Sequence, residues 1–120
     1  PRAEDRLELH LSVLAQVANA LQFAHSRGTV HRDVKPENVL LGEHGEVYLA
    51  DWGIALRLGG AASHALVGTP AYMAPEMVRA DSTRIDARTD VFLLGATLHE
   101  VLTGRPPYSG GSIRGVDKDP

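Results

Sequence analysis

The segment "HRDVKPEN", residues 31 to 38, constrains the fold more than any other stretch of this chain. It packs an arginine, an aspartate, a lysine and an asparagine into eight positions, together with a proline. These positions have no apolar period of the kind that a helix or a strand shows. An irregular loop is therefore predicted over 29–38, between two hydrophobic stretches, and its dense polar groups suggest a chemical task.

The stretch before this loop has the period of a helix with one apolar face. From residue 4 to residue 27 its apolar side chains recur at steps of three and four: Leu7, Leu11, Leu14, Ala18 and Leu21. Gly28 is a natural end for such a helix. We expect the stripe of Leu7, Leu11 and Leu14 to pack in the core.

The stretch after the loop has the pattern of a hairpin. In "NVLLGEHGEVYLAD" two short strands, 39–41 and 47–50, are predicted on either side of a turn containing Gly42 and Gly45. Residues 53–71 show no sustained period and are predicted to form a long loop. A brief helix is predicted in "APEMVRA", with Pro75 in its first turn.

A second long helix is predicted over 86–103, ended by Gly104. Apolar residues cover most of its circumference, and such a helix is normally buried on all sides. Little sequence remains after it to bury it. We therefore expect the chain to be cut from something larger.

Composition narrows the class of protein. The chain has 120 residues, of which 43% are hydrophobic and 22% charged, as in a globular domain or part of one. A formal net charge of -3 gives no broad basic field, so no nucleic-acid partner is expected. With no cysteine, disulfides and thiolate metal sites are excluded. The longest apolar stretch is interrupted by His99 and Glu100, so we expect a soluble cytoplasmic protein whose present segment makes no membrane contact.

The polar loop carries the groups that phosphoryl transfer requires. A carboxylate such as Asp33 can orient an acceptor hydroxyl, and a nearby cation such as Lys35 can stabilise charge on the migrating group. Asn38 and Asp51, which follows the second strand 18 residues after Asp33, can hold magnesium through hard oxygen ligands. A hairpin between them can return Asp51 to the mouth of the loop.

Four motifs then occur in one order: "HRDVKPEN", "DWG", "GTPAYMAPE" and "DVFLLG". They resemble the successive signatures of the eukaryotic-type serine/threonine protein kinase family, in a bacterial-like form, from about residue 4 to residue 108. The resemblance implies an α+β, mainly α-helical fold: a partial C-terminal lobe with a short catalytic-loop β-hairpin. It implies a partial kinase domain over 1–108 and a disordered or truncated tail over 109–120.

The resemblance also implies an activity and its cofactors. The parent protein would transfer the γ-phosphate of ATP to serine or threonine hydroxyls of protein substrates, with Mg²⁺. Asp33 would be the catalytic carboxylate and Lys35 would contact the γ-phosphate. Asn38 and Asp51 would bind magnesium and, with Lys35, hold the nucleotide.

An activation loop is implied between residues 51 and 76. Arg32 would pair with a phosphate on that loop, although a plain salt-bridged arginine is an alternative. Thr69 resembles the threonine of the substrate-docking segment that hydrogen-bonds the catalytic aspartate and lysine. Ser63 is then the candidate phosphorylation site, with an ordinary loop serine as the alternative.

Four further residues are given structural roles by the resemblance. His31 would pack beneath the turn formed by 51–53, and Asp90 would anchor the backbone of the catalytic loop. Trp52 stands where the family usually has phenylalanine, and its N–H needs a partner if it is buried. Glu76 usually pairs with an arginine that this sequence lacks, so we expect Glu76 to be unpaired.

Part of the family pattern is missing from this sequence. It contains no glycine-rich loop and no strand lysine for the α- and β-phosphates, since Lys35 is already assigned and Lys118 lies in the tail. We therefore expect the isolated chain to be inactive. The alternative is a pseudokinase or truncated lobe that acts as a binding or scaffold module. A small-molecule phosphotransferase is disfavoured by "GTPAYMAPE", a peptide-docking segment.

Overall fold

Two long helices and two small antiparallel sheets make up the chain, in a computed structural model that describes residues 2–62 and 65–108. The helices are α1 (Ala3–Ser26), α2 (Pro75–Val78) and α3 (Ala87–Thr103); the strands are β1 (Thr29–Val30), β2 (Val39–Leu41), β3 (Val47–Leu49) and β4 (Leu56–Arg57); single 3-10 turns span Pro36–Asn38 and Ser82–Arg84. The predicted α+β class and both long helices are confirmed. The candidate phosphosite Ser63 and the predicted tail 109–120 lie outside the described residues.

Helix α1 buries only its C-terminal half. Val17, Leu21 and Ala24 are its buried residues. The prediction that Leu7, Leu11 and Leu14 pack in the core is wrong, because Leu7 is 39% exposed, Leu11 is 45% exposed and Leu14 is only partly covered. The apolar surface before Val17, including Leu11 and Leu14, lines open grooves that α1 shares with β2 and α3.

The predicted hairpin is present, and its register places the site. Strands β2 and β3 pair in antiparallel fashion in the order Val39↔Leu49, Leu40↔Tyr48 and Leu41↔Val47. Its turn is closed by the N–H of Gly42, which donates to the carbonyl of Glu46 at 2.8 Å. Beyond β3, the N–H of Ala50 donates to the carbonyl of Asn38 at 2.7 Å, which continues the pairing to the end of the polar loop.

The two stretches predicted to be irregular each contain a short strand. Strand β1 lies at the start of the loop predicted over 29–38, and it pairs with β4, which lies in the predicted long loop. The N–H of Leu58 also donates to the carbonyl of Gly28 at 2.7 Å. Strands of two residues are too short to show a period in the sequence. Their pairing also depends on residues far apart in the chain, which no local pattern reveals.

Helix α3 has the predicted ends. The side chain of Asp86 caps it by accepting the N–H of Arg88 at 2.9 Å. Gly104 ends it with a φ of +83°, a conformation that glycine adopts without steric cost, and its N–H donates to the carbonyl of Glu100 at 2.7 Å. The predicted short helix α2 also begins at Pro75.

The prediction that the second long helix is buried on all sides is wrong for this chain. Leu93, Ala96 and Thr97 are buried, whereas Val91 is 62% exposed and Leu102 is 58% exposed. Among the described residues, α3 packs on α1 and on β1, which cover one side of it. Val91 and Leu102 lie on the side that stays exposed, and Leu94 is partly buried against the core.

One hydrophobic core joins these elements. Its buried members come from both long helices, the strands and the segment before α2: Val17, Leu21, Val30, Val34, Leu49, Tyr72, Met73, Ala74, Met77, Ile85, Leu93 and Ala96. The core therefore fixes the polar loop against the segment 69–74. In the described part of the chain, no helix has both the length and the apolar character that crossing a membrane requires.

Candidate active site

A buried carboxylate holds the polar loop at its start. Asp90, on α3, is fully buried and accepts the backbone N–H groups of His31 at 2.8 Å and Arg32 at 2.9 Å. His25, on α1, places its Nε2 atom 2.7 Å from the same carboxylate. Burying a carboxylate is costly unless hydrogen bonds satisfy it, and these contacts do so.

The backbone at Arg32 explains why this anchor is needed. Arg32 has a φ of +73°, a left-handed conformation that is unfavourable for a residue with a Cβ atom. Its side chain is nearly buried, and its Nε donates to the carbonyl of Ile54 at 2.7 Å. Burial lowers the pKa of the Arg32 guanidinium, and the nearby charge of Asp90 partly opposes that shift. The predicted pairing of Arg32 with a phosphate stays a prediction.

The structure brings Asp33, Lys35 and Thr69 together. The hydroxyl of Thr69 donates to Oδ1 of Asp33 at 2.7 Å and accepts from Nζ of Lys35 at 2.8 Å. Lys35 also lies 3.9 Å from Oδ2 of Asp33, within ion-pair range. A carboxylate, an ammonium group and an aliphatic hydroxyl therefore share one partly buried site.

Asn38 lies beside this group. Its side-chain Nδ2 donates to the carbonyl of Asp33 at 2.7 Å and lies 3.5 Å from the Asp33 carboxylate. With the amide nitrogen engaged there, the amide oxygen of Asn38 is the atom that could bind a cation. Asn38 ends a 3-10 turn that begins at Pro36, so its side chain is set by rigid local structure.

The hairpin brings Asp51 to the same end. Because Ala50 pairs with Asn38, the next residue, Asp51, follows directly at the mouth of the loop. Asp51 is exposed, has a φ of +60° and accepts the N–H of Gly53 at a long 3.3 Å. Asn38 and Asp51 thus offer one amide oxygen and one carboxylate at one end of the hairpin.

This donor set fits magnesium bound together with a nucleotide. Mg²⁺ takes hard oxygen ligands and is usually held by one or two carboxylates with phosphate oxygens and water. Over 2–62 and 65–108, no group of three or more His, Asp or Glu side chains could hold a metal without such help. Asn38 and Asp51 could therefore contribute to a site that phosphates complete.

A buried histidine connects the polar loop to the residue that follows β3. His31 is fully buried; its Nδ1 accepts the backbone N–H of Asp33 at 3.0 Å. The ring proton therefore lies on Nε2, which donates to the carbonyl of Ala50 at 2.8 Å. The indole of Trp52 packs edge-to-face on this imidazole, with ring centroids 4.4 Å apart.

Glu76 has a partner that was not expected. The hydroxyl of Thr89 donates to Oε2 of Glu76 at 2.7 Å, so the expectation that Glu76 is unpaired is wrong. Thr89 is fully buried near the start of α3 and also accepts the N–H of Asp86 at 3.3 Å. Glu76 therefore accepts a hydrogen bond from an uncharged hydroxyl within this chain.

Several contacts around the site carried no sequence signal. His25 meets Asp90 across 65 positions of the chain, and a lone histidine on a helix is no motif. The hydroxyl of Tyr72, in the segment 69–74, donates to the carboxylate of Glu100 on α3. Burial first, and Glu100 second, raise the pKa of the Tyr72 hydroxyl, so it stays a donor.

Comparison with known proteins gives the family. The protein kinase domain family matches residues 6–118. The chain belongs to this family. Three similar proteins are PknB, a serine/threonine-protein kinase of Mycobacterium tuberculosis, 42% identical over 107 residues; a probable PknB of Bifidobacterium longum, 42% identical over 105 residues; and PknL, another serine/threonine-protein kinase of M. tuberculosis, 42% identical over 109 residues.

This kinase-family chain corresponds to a small part of those relatives. The three alignments cover 85%, 83% and 88% of the chain but only 17%, 15% and 27% of the respective relatives. The chain therefore spans about a sixth of the length of PknB. The family and the bacterial character of the resemblance are both confirmed.

Proposed function

We propose that this chain is part of the C-terminal lobe of a serine/threonine protein kinase. The complete protein would transfer the γ-phosphate of ATP, with Mg²⁺, to serine or threonine hydroxyls of protein substrates. The observation that carries the proposal is the Thr69 hydroxyl, which donates to Asp33 and accepts from Lys35. Through these bonds Thr69 fixes a carboxylate and an ammonium group side by side, as orientation of an acceptor hydroxyl requires.

Each residue has a task that follows from its position. Asp33, whose Oδ1 is held by Thr69, would orient the acceptor hydroxyl through Oδ2 and receive its proton. Lys35, whose ammonium lies within 3.9 Å of Asp33, would stabilise negative charge beside that hydroxyl. When bound, magnesium and ATP supply the transferable phosphoryl group and neutralise its charge, and the oxygens of Asn38 and Asp51 would hold the ion.

The serine/threonine class is supported by the relatives and by the loop. The three relatives are named as serine/threonine-protein kinases, one of them with the word probable. Lys35, two residues after Asp33, and the Gly68-Thr69 pair before "PAYMAPE" resemble that branch of the family. Phosphoamino-acid analysis of the labelled products should give phosphoserine and phosphothreonine. Labelling confined to phosphotyrosine would contradict this class.

The activity is tested in the complete protein that carries this chain, incubated with Mg²⁺ and ATP labelled at the γ-phosphate. Asp33→Asn should lower phosphoryl transfer by at least about 100-fold, the range expected for a lost general base. Far-ultraviolet circular dichroism should show that the fold is kept. Glu43→Gln, on the exposed hairpin turn, is the matched control and should leave the rate unchanged. An Asp33→Asn protein with full activity would overturn the proposal.

A pseudokinase or truncated lobe that acts as a scaffold is the alternative, and measurements on the isolated chain and on the complete protein distinguish the two. The isolated chain should bind ATP at millimolar concentration or not at all, which isothermal titration with Mg²⁺ measures. Tight ATP binding by the isolated chain would contradict its proposed incompleteness. A complete protein that binds partners but never transfers phosphate would favour the scaffold.

A further inference from the structure

Two ring N–H groups hold the end of strand β3. The indole Nε1 of Trp52 donates to the carbonyl of Leu49 at 2.8 Å, and Nε2 of His31 donates to the carbonyl of Ala50 at 2.8 Å. The two rings also contact each other edge-to-face at 4.4 Å, with planes 69° apart. Consecutive carbonyls are therefore fixed by two aromatic rings that support one another.

The residue that follows these carbonyls needs such support. Asp51 has a φ of +60°, an unfavourable conformation for a residue with a Cβ atom, and surrounding contacts must hold it there. Its own side chain does little, since its contact with the N–H of Gly53 is a long 3.3 Å. The direction of the Asp51 carboxylate therefore depends on the backbone of the turn formed by residues 49–53.

The bond from Trp52 closes this turn and depends on the indole. A phenylalanine, which the kinase family usually has at this position, would keep a ring beside His31 but has no donor for the Leu49 carbonyl. The Trp52 side chain is 38% exposed, so water could satisfy its N–H. The N–H nevertheless bonds a carbonyl three residues earlier and ties Trp52 back to the strand.

We propose that Trp52 is a positioning residue for Asp51: its indole N–H, bonded to the Leu49 carbonyl, holds the left-handed turn and so fixes the direction of the Asp51 carboxylate at the end of the hairpin where Ala50 pairs with Asn38. The importance of that position rests on the proposed function, in which Asn38 and Asp51 hold a divalent cation. The bond itself is independent of any activity, and it can be measured without a substrate.

The first test reads the hydrogen bond directly. In the ¹⁵N-labelled protein, the indole signal that Trp52→Phe removes identifies Trp52. Its N–H should exchange with solvent at least about tenfold more slowly than an unprotected indole, as expected for a hydrogen-bonded group. Exchange at the unprotected rate would overturn the inference. The exchange is measured on the unaltered protein, and Trp52→Phe is needed only to assign the signal.

The second test removes only the donor. Replacing Trp52 with 3-benzothienylalanine keeps the shape of the ring and exchanges its N–H for sulfur. With Mn²⁺ as the probe and ATP present, water-proton relaxation gives the half-saturating Mn²⁺ concentration. It should rise about fivefold, the effect of one hydrogen bond of ordinary strength. The same substitution at Phe23, an exposed position on α1, should leave it unchanged. An unchanged value at Trp52 would overturn the inference.

The two tests separate this inference from the proposed function. A protein that never transfers phosphate, but whose Mn²⁺ binding weakens fivefold with the substitution at Trp52, would refute the proposed function and support the positioning role. A protein that transfers phosphate while the Trp52 indole exchanges freely would support the function and refute the positioning role.

Discussion

The hydroxyl of Thr69 donates a hydrogen bond to the carboxylate of Asp33 at 2.7 Å, across 36 positions of the chain. The same hydroxyl accepts from Lys35 at 2.8 Å. It therefore joins the segment 69–74 to the polar loop and orients both charged groups. The acceptor hydroxyl of the proposed reaction would then meet a carboxylate and an ammonium that Thr69 has already oriented.

Replacing Thr69 should weaken catalysis through this orientation. Thr69→Val keeps the volume but removes both hydrogen bonds, so kcat/KM of the complete protein should fall about tenfold, equivalent to roughly 1.4 kcal/mol. Thr69→Ser keeps the hydroxyl and should stay within about twofold of the unaltered protein. Steady-state kinetics on a serine-containing peptide measure both. Equal losses in the two variants would show that the hydroxyl is not what matters.

Removing the buried carboxylate at Asp90 should destabilise the fold strongly. Asp90→Ala leaves the backbone N–H groups of His31 and Arg32 buried without an acceptor, and each such group costs about 1–3 kcal/mol. The free energy of unfolding, from urea titration, should fall by about 3 kcal/mol or more. Asp90→Asn keeps one oxygen and should lose less. A loss under about 1 kcal/mol for Asp90→Ala would contradict the anchoring role.

The bond between Thr89 and Glu76 should contribute measurably to stability. Thr89→Val is nearly isosteric but removes the hydroxyl that donates to Glu76 and accepts from Asp86, so unfolding should become easier by about 1–2 kcal/mol. Thr89→Ser keeps both bonds and should lose less than half of that amount. If the two variants are equally unstable in thermal unfolding, the loss comes from packing and the bond is unimportant.

Asp86 gives the fold a pH dependence of known sign. Arg88 donates hydrogen bonds to the Asp86 carboxylate and holds the pKa of that carboxyl below its usual value. Because the pKa is lower in the folded chain, the stabilisation is present above the unfolded value, about 3.9, and is lost as the pH falls through the folded pKa. Asparagine at this position can still cap α3, so Asp86→Asn removes the negative charge and keeps the cap.

The measurement compares urea unfolding of the two proteins between pH 7 and pH 2. At pH 7 the unaltered protein should be more stable by less than about 1 kcal/mol, since the pair is exposed and screened by salt. This difference should shrink below about pH 4. A difference that is the same at every pH would exclude the charge of Asp86 as its cause.

Some features of this chain follow from local sequence signals. The ends of α3 were predictable because Asp86 and Gly104 act on the nearest backbone groups. The hairpin was predictable because strand residues flank a short turn with glycines at 42 and 45. The grouping of the polar side chains was predictable because the four motifs occur in the order of one family, and residues 6–118 match that family.

Other features depend on residues that only the fold brings together. The pairing of β1 with β4, the contact of His25 with Asp90 and the bond of Thr89 to Glu76 join positions that no short motif connects. The exposure of Leu7 and Leu11 also lies outside local reasoning. An apolar stripe shows which face of a helix can be buried, and the neighbouring elements determine whether it is.

Under the proposed function, Asn38 and Asp51 together hold a divalent cation near Asp33. A crystal structure of the complete protein with Mn²⁺ and a non-hydrolysable ATP analogue would locate this ion, because Mn²⁺ gives an anomalous signal. We expect an anomalous peak about 2.1 Å from the Asn38 amide oxygen and from an Asp51 carboxylate oxygen, a distance typical of such ions. Mn²⁺ held by the phosphates alone, with Asp51 directed away from Asn38, would contradict it.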